Sequence, residues 1–298
     1  MDTPKVNLPN LLRAVTLVAI VGILTTGCGG SSTDSEPDPD PDEPNVQLTS
    51  TQSHGDVLSD GEGNVLYYFT MDVRGESKCE GDCISSWPAF DVDELTFDEE
   101  DELDEEDFGS VERPDGSSQI TYKGWPLYYF VGDEQPGDTE GDGINEVWYV
   151  AKPDYSLMIA DEQLIGEDEE NYRIDENGDY VTGEDITTFF TDSEGRTLYI
   201  FSDDEEDTNT FTEEDFSNDS VWPIYHTDIE ALPSGMDESD FGEITVHGEE
   251  DQLTYRGWPV YYFGQDEERG DTQGVSFPQP GAWPIINTDI SDALPPSE

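Results

Sequence analysis

The sequence is short of positive charge, cysteine, histidine and methionine. Against 73 Asp+Glu it sets only 11 Lys+Arg, a formal net charge of −62. A surface this acidic has no electrostatic attraction for phosphate backbones, so no nucleic-acid partner is expected. Anionic lipid headgroups are repelled for the same reason, and any membrane attachment needs a hydrophobic anchor. Charged residues make up 28 %, an ordinary share, so the anomaly is one of sign and not of amount. Such a coat keeps a protein hydrated where salt screens its self-repulsion, which suits a halophilic or marine bacterium. The histidines are only His54, His226 and His247, scattered and without a repeated partner. No Gly-x-Ser-x-Gly, phosphate loop or zinc-helix motif accompanies them, and carboxylates are too numerous for one pair to stand out as acid and base. An enzyme is therefore not expected. Hydrophobic residues reach only 33 %, but 14 Tyr, 13 Phe and 6 Trp supply bulky core material, and 28 Gly with 19 Pro favour short strands and turns.

What is present begins with an export signal. Lys5 and Arg13 precede an apolar run from Ala14 to Leu24, then Thr25, Thr26, Gly27 and Cys28. The run has the length of a signal-peptide core and is short for a membrane span. Small residues before a cysteine, followed by Gly29-Gly30-Ser31-Ser32, resemble a bacterial lipobox. That resemblance implies cleavage after residue 27 and acylation (palmitate among the chains) of Cys28, which would anchor the chain to the bilayer. Residues 28–45 are Gly, Ser, Asp, Glu and Pro for the most part, an acidic tether too polar to fold.

Repetition dominates the remainder. Leu66-Tyr67-Tyr68-Phe69-Thr70-Met71-Asp72 returns as Leu127-Tyr128-Tyr129-Phe130-Val131-Gly132-Asp133. It returns again as Leu198-Tyr199-Ile200-Phe201-Ser202-Asp203-Asp204 and Val260-Tyr261-Tyr262-Phe263-Gly264-Gln265-Asp266. The third copy follows the first by 132 residues and the fourth follows the second by 133, so two tandem units each hold two half-repeats. Flanks keep the same phase: Lys123-Gly124-Trp125-Pro126 precedes the second copy as Arg256-Gly257-Trp258-Pro259 precedes the fourth, and Trp87-Pro88 corresponds to Trp222-Pro223. Each aromatic run is read as a strand ending in a turn, with the final acid placed to bond nearby backbone amides.

The four copies fit Tyr-x-(Phe/Trp/Tyr)-x-x-Asp at Tyr67/Phe69/Asp72, Tyr128/Phe130/Asp133, Tyr199/Phe201/Asp204 and Tyr261/Phe263/Asp266. In this they resemble a family of bacterial secreted-repeat lipoproteins without an established activity. The loop around Cys79 and Cys83 and the segment Pro136–Gly143 running into Trp148 resemble the same family, which often has His where this chain has Tyr149. Outside the cytoplasm, two cysteines so close are read as a small loop disulfide, with a redox or metal-binding dithiol as the alternative. Asp138, Glu140 and Asp142 mimic the opening of a calcium loop, and Asp175, Asn177 and Asp179 repeat the spacing, although neither has a Glu at the twelfth position. Asn177-Gly178 reads better as a hairpin turn. Met71 is a candidate soft copper ligand.

The expectation is an all-β protein of two tandem domains, residues 46–160 and 161–298, each made of two pseudo-repeated strand-turn halves. The expected role is a non-catalytic, membrane-anchored module of the cell envelope, structural or ligand-binding, with an envelope protein as a partner. The alternative is a redox or metal-handling accessory to envelope electron transfer. Gly-Trp-Pro turns and acidic loops are the expected contact surface.

Overall fold

Alternating aromatic side chains bounded by Gly, Pro and Asp favour extended backbone, because flat rings pack across a pleated surface. The computed structural model describes residues 44–98, 101 and 103–296, and there the four aromatic runs are short strands or strand edges in antiparallel sheets. The export signal, Cys28 and nearly all of the tether lie outside the described residues.

In the first unit a hairpin of β1 (Val46–Thr51) and β2 (Gly55–Asp60) leads to β3 (Tyr67–Phe69). A single helical turn, α1 (Asp82–Ser86), carries Cys83. Then come β4 (Phe108–Glu112), β5 (Ser118–Tyr122), β6 (Trp125–Tyr128) and β7 (Trp148–Val150). The second unit opens with β8 (Leu157–Ile165), β9 (Asn171–Ile174), β10 (Tyr180–Thr182) and β11 (Ile186–Asp192). It closes with β12 (Tyr199–Ile200), β13 (Phe241–Val246), β14 (Glu250–Tyr255) and β15 (Trp258–Tyr261).

The sheet orders repeat with the sequence. The first unit holds β4-β5-β6-β3-β7, and the second β12-β15-β14-β13. Within each, the two copies of the motif lie side by side and antiparallel, with Tyr67 opposite Tyr128 and Tyr199 opposite Tyr261. Trp283 corresponds to Trp148 of β7: β3 pairs Tyr67 with Val150, two residues after Trp148, and Tyr199 bridges to Ile285, two residues after Trp283.

One element breaks the duplication. β1 and β2 join through a tight turn, whereas their counterparts β8 and β11 are separated by the added hairpin β9–β10. Its turn is the one expected at Asn177-Gly178: Asp175 Oδ1 accepts from the Asn177 and Asp179 amides at 2.8 and 3.1 Å, and Gly178 takes φ +85°. Neighbouring amides occupy Asp175, which suits a turn and leaves the calcium spacing there unexplained by coordination.

The expected boundary between residues 160 and 161 falls inside β8, where Leu157, Ile159 and Ala160 are buried in a core drawn from both units. The described residues lie within one compact unit, Pro41–Glu298. A second, smaller cluster under the first hairpin gathers Val46, Leu58, Leu66, Phe90, Ile120 and Leu127. Half-repeats of this length bury too little surface alone, and sharing an interior answers that deficit.

Three of the scarce cations bridge the two units. Arg269, from the second unit, donates from Nε to Val73 O and from Nη1 to Lys123 O, both at 2.6 Å, and lies over the Trp125 ring. Glycine is required beside it: a Cβ on Gly124 would stand 1.8 Å from Arg269 Nη1. Arg74 and Lys78 reach Glu162 on β8 at 3.4 and 2.5 Å. Thr70 Oγ1 donates to the buried Asp161 on β8 at 2.5 Å. Burial pushes the Arg269 guanidinium down to about 10, with Asp192, Glu194 and Asp72 working against that shift.

Candidate functional site

The repeat motif is the first place to look for chemistry, and its tyrosines and aspartates are crossed. The Tyr67 hydroxyl donates to Asp133 Oδ2 at 2.7 Å, and the Tyr128 hydroxyl to Asp72 Oδ2 at 2.5 Å. In the second unit Tyr199 donates to Asp266 Oδ2 at 2.6 Å and Tyr261 to Asp204 Oδ2 at 2.7 Å. Each copy therefore supplies the acid for its neighbour's phenol. The remaining oxygen of each aspartate caps its own loop: Asp72 accepts from the Lys78 amide, Asp133 from Glu140, Asp204 from Thr210 and Asp266 from Gln273.

Burial outweighs those hydrogen bonds in the electrostatics. It raises the Asp72 and Asp266 carboxyls to about 7, while the Tyr donors and backbone amides pull the other way. Asp133 and Asp204 are raised for the same reason. All four phenols are pushed above their ordinary value, first by burial and then by the facing carboxylates.

The aromatic position of the motif is crossed in the same sense. Trp87 and Trp148 stack at 3.9 Å with planes 3° apart, and Phe69 and Phe130 cap the outer faces at 4.2 and 4.4 Å. Trp222 and Trp283 stack at 3.7 Å, capped by Phe263 and Phe201, each at 4.5 Å. These four-ring piles hold the two copies of a unit together, and their tryptophan faces are not open to a ligand.

The other residues singled out in the sequence divide clearly. Cys79 and Cys83 form a disulfide with Cα atoms 5.3 Å apart. Asp138, Glu140 and Asp142 are not drawn to one point. Asp138 Oδ2 accepts from the Glu134 and Gln135 amides, and Asp142 Oδ1 from Val150 N, so both carboxylates brace backbone. Met71 is partly buried against the core. Trp125 is covered by the second unit, its indole N–H donating to Ser193 O at 3.1 Å, and Trp258 donates to Ser291 O at 2.9 Å in the C-terminal tail. The first Gly-Trp-Pro turn is thus an internal seam, whereas Trp258 of the second is half-buried and faces a surface cleft.

Concave surface remains chiefly in the second unit. A cleft of about 530 Å³ opens at the end of the second ring pile, walled by Phe201, Phe211, Phe277, Pro278 and Pro280 with Asn218 at its edge. Across a ridge at Pro280 and Gly281 lies a wider cleft of about 1190 Å³, bounded by the added hairpin, with Tyr180 and Trp258 among its aromatic walls and Asp179, Asp185 and Asp289 among its acids. Aromatic faces beside carboxylates and amides suit an amphipathic ligand. Sequence reading missed Phe211 and Phe277, which lie outside the repeated motif; for Phe211 the available signal was the departure of the second unit from the first between Asp207 and Asp219.

Among the described residues no helix is long and apolar enough to cross a membrane. No curated protein and no solved structure matches the chain. Three segments, residues 48–91, 109–152 and 246–286, match the model of a lipoprotein family described as a secreted repeat of unknown function. The copy around Tyr199 lies outside these segments but repeats the crossed Tyr–Asp bonds and the ring pile of the others. In these three segments the chain is similar to the secreted-repeat family.

Proposed function

We propose that this secreted-repeat protein is a non-catalytic binding module of the bacterial cell envelope, anchored to the bilayer through acylated Cys28. One observation carries the reading: the tyrosine and aspartate of every motif copy bond each other across the unit, so the repeated chemistry is spent on architecture. What the scaffold leaves for a ligand or an envelope protein partner is the pair of adjoining clefts in the second unit. Rigid sheets beneath variable loops are a common way to present such a surface. The acidic coat fits a secreted position in saline surroundings.

The anchor is tested by expressing the chain and its Cys28→Ala variant with labelled palmitate and fractionating the cells. The wild-type chain takes label and sediments with membranes, and the variant takes none. Equal membrane retention of both chains would defeat the anchoring, and measurable turnover abolished by a cleft substitution would defeat the non-catalytic reading.

A further inference from the structure

Outside both clefts, the fold brings two side chains of one segment together with a third from a separate strand. Tyr225 accepts from the Leu253 amide on β14 and donates its own amide to Val260 O on β15, at 2.8 and 2.9 Å. That pairing lays the segment after Tyr225 along the sheet, within reach of Glu243 on β13, whose register partner is Leu253. His226 Nε2 lies 2.9 Å from Glu243 Oε2. One ligand atom each from His226, Asp228 and Glu243 falls within 4.8 Å of the others. Ligands about 2 Å from one ion stand up to about 4 Å apart, so small side-chain adjustments close this trio around a single ion.

The duplicated unit supplies an independent control. Phe90 accepts from Ile120 N and donates to Leu127 O, as Tyr225 does with Leu253 and Val260. By that register, and by Ser110 facing Ile120, the first unit places Asp91, Asp93 and Ser110 where the second has His226, Asp228 and Glu243. The same backbone thus forms without an imidazole and with a hydroxyl where Glu243 has its carboxylate. The fold does not demand His226 or Glu243, and both are exposed, so neither serves the core. His226 and Asp228 also line a cleft of about 530 Å³ that includes Asp154, whose buried Oδ1 accepts no hydrogen bond and has Lys152 Nζ at 3.3 Å.

We propose that His226, Asp228 and Glu243 form a site for one divalent transition-metal ion of the zinc class, present in the second unit and not in the first. An imidazole with two carboxylates is a borderline donor set, matched to zinc and its neighbours, whereas calcium and magnesium take oxygen ligands alone. The wider acidic surface attracts any cation diffusely, and high salt screens that background.

The test is a Zn²⁺ titration of the full chain in detergent at high salt, followed by imidazole NMR, where three histidines give a sparse spectrum. His226 signals should shift and saturate at one ion per chain, with those of His54 and His247 in place and with excess Ca²⁺ causing no reversal. His226→Ala should lose the site, and Glu243→Gln should weaken it on the order of tenfold, since disturbing even a ligand's supporting partner costs that much. The proposal is overturned if His226 signals stay fixed at saturating Zn²⁺, if Ca²⁺ displaces the ion, or if His226→Ala binds Zn²⁺ unchanged.

Discussion

The loop after Asp72 and the loop after Asp204 begin alike and are fastened by different means. In the first unit the Cys79–Cys83 disulfide closes the loop, and the buried Arg113 donates to Cys79 O at 2.7 Å and Ser77 Oγ at 2.5 Å. Ser77 Oγ in turn meets the Tyr128 hydroxyl at 2.8 Å, so a cation, a hydroxyl and the motif phenol form one network ending on Asp72. In the second unit the place of Cys79 is taken by Phe211, set edge-on to Trp283 at 4.7 Å. Val246 stands where Arg113 stood, and Asn209 ties the loop to Gln252 at 2.8 Å. The crossed phenol–carboxylate pairs and the ring pile are common to both. Fastening is therefore replaceable, while the crossing is what makes the unit.

The sharpest way to break that comparison is to remove a central ring. Trp148→Ala and Trp283→Ala should each cost about 3–5 kcal/mol, read by urea denaturation at constant salt. Both should lower one shared transition, because the core is continuous across the units; two separated transitions would show the units to be independent. Arg269→Met, which strips two carbonyls of a charged donor at the seam, should cost about 2–3 kcal/mol, and the same substitution at Arg173, on the added hairpin, much less. Removing the staples comes next. Cys79→Ser with Cys83→Ser should lose about 2 kcal/mol from the first unit, and Phe211→Ala a similar amount from the second, being only half-buried. A large inequality between them would show that the two fastenings are not equivalents.

Acidity sharpens the comparison further. Asp72 and Asp266 titrate near 7 in the fold, above the ordinary carboxylate value of 3.8. The folded chain thus binds those protons more tightly than the unfolded chain, so stability rises as pH falls from about 7 toward 4. Between pH 7 and 5.5 each carboxyl should contribute on the order of 1–2 kcal/mol, and Asp72→Asn should flatten its share of the slope. A stability that falls over that range would reverse the sign and sink the assignment. The mildest intervention is a transplant: Asp91→His with Ser110→Glu should raise zinc stoichiometry from one to two per chain with no measurable loss of stability.

Much of this was legible in the residues, and for identifiable reasons. Strand character, the four motif copies, the Cys79–Cys83 pairing and the Asn177-Gly178 hairpin are local properties of composition and spacing. Partner choice is different. That Tyr67 meets Asp133 and not Asp72 depends on β3 lying antiparallel to β6, a pairing across some sixty residues on which motif spacing is silent. The seam was hidden for the same reason: Arg269 occupies the position that Pro136 holds in the first unit, and only the fold shows it passing between Gly75, Gly124 and Gly195. His226 looked solitary because its ligating neighbours arrive from the adjacent strand and from two residues onward.

The crossed bonds also bear on how the chain can be divided. A first copy made alone would expose Asp72 with no phenol and Tyr67 with no carboxylate, and its half of the ring pile would lack two members. Each copy is the other's missing template. Fragments cut between the first and second copies should therefore reassemble by complementation, and at high concentration two intact chains possess the means to trade copies with one another.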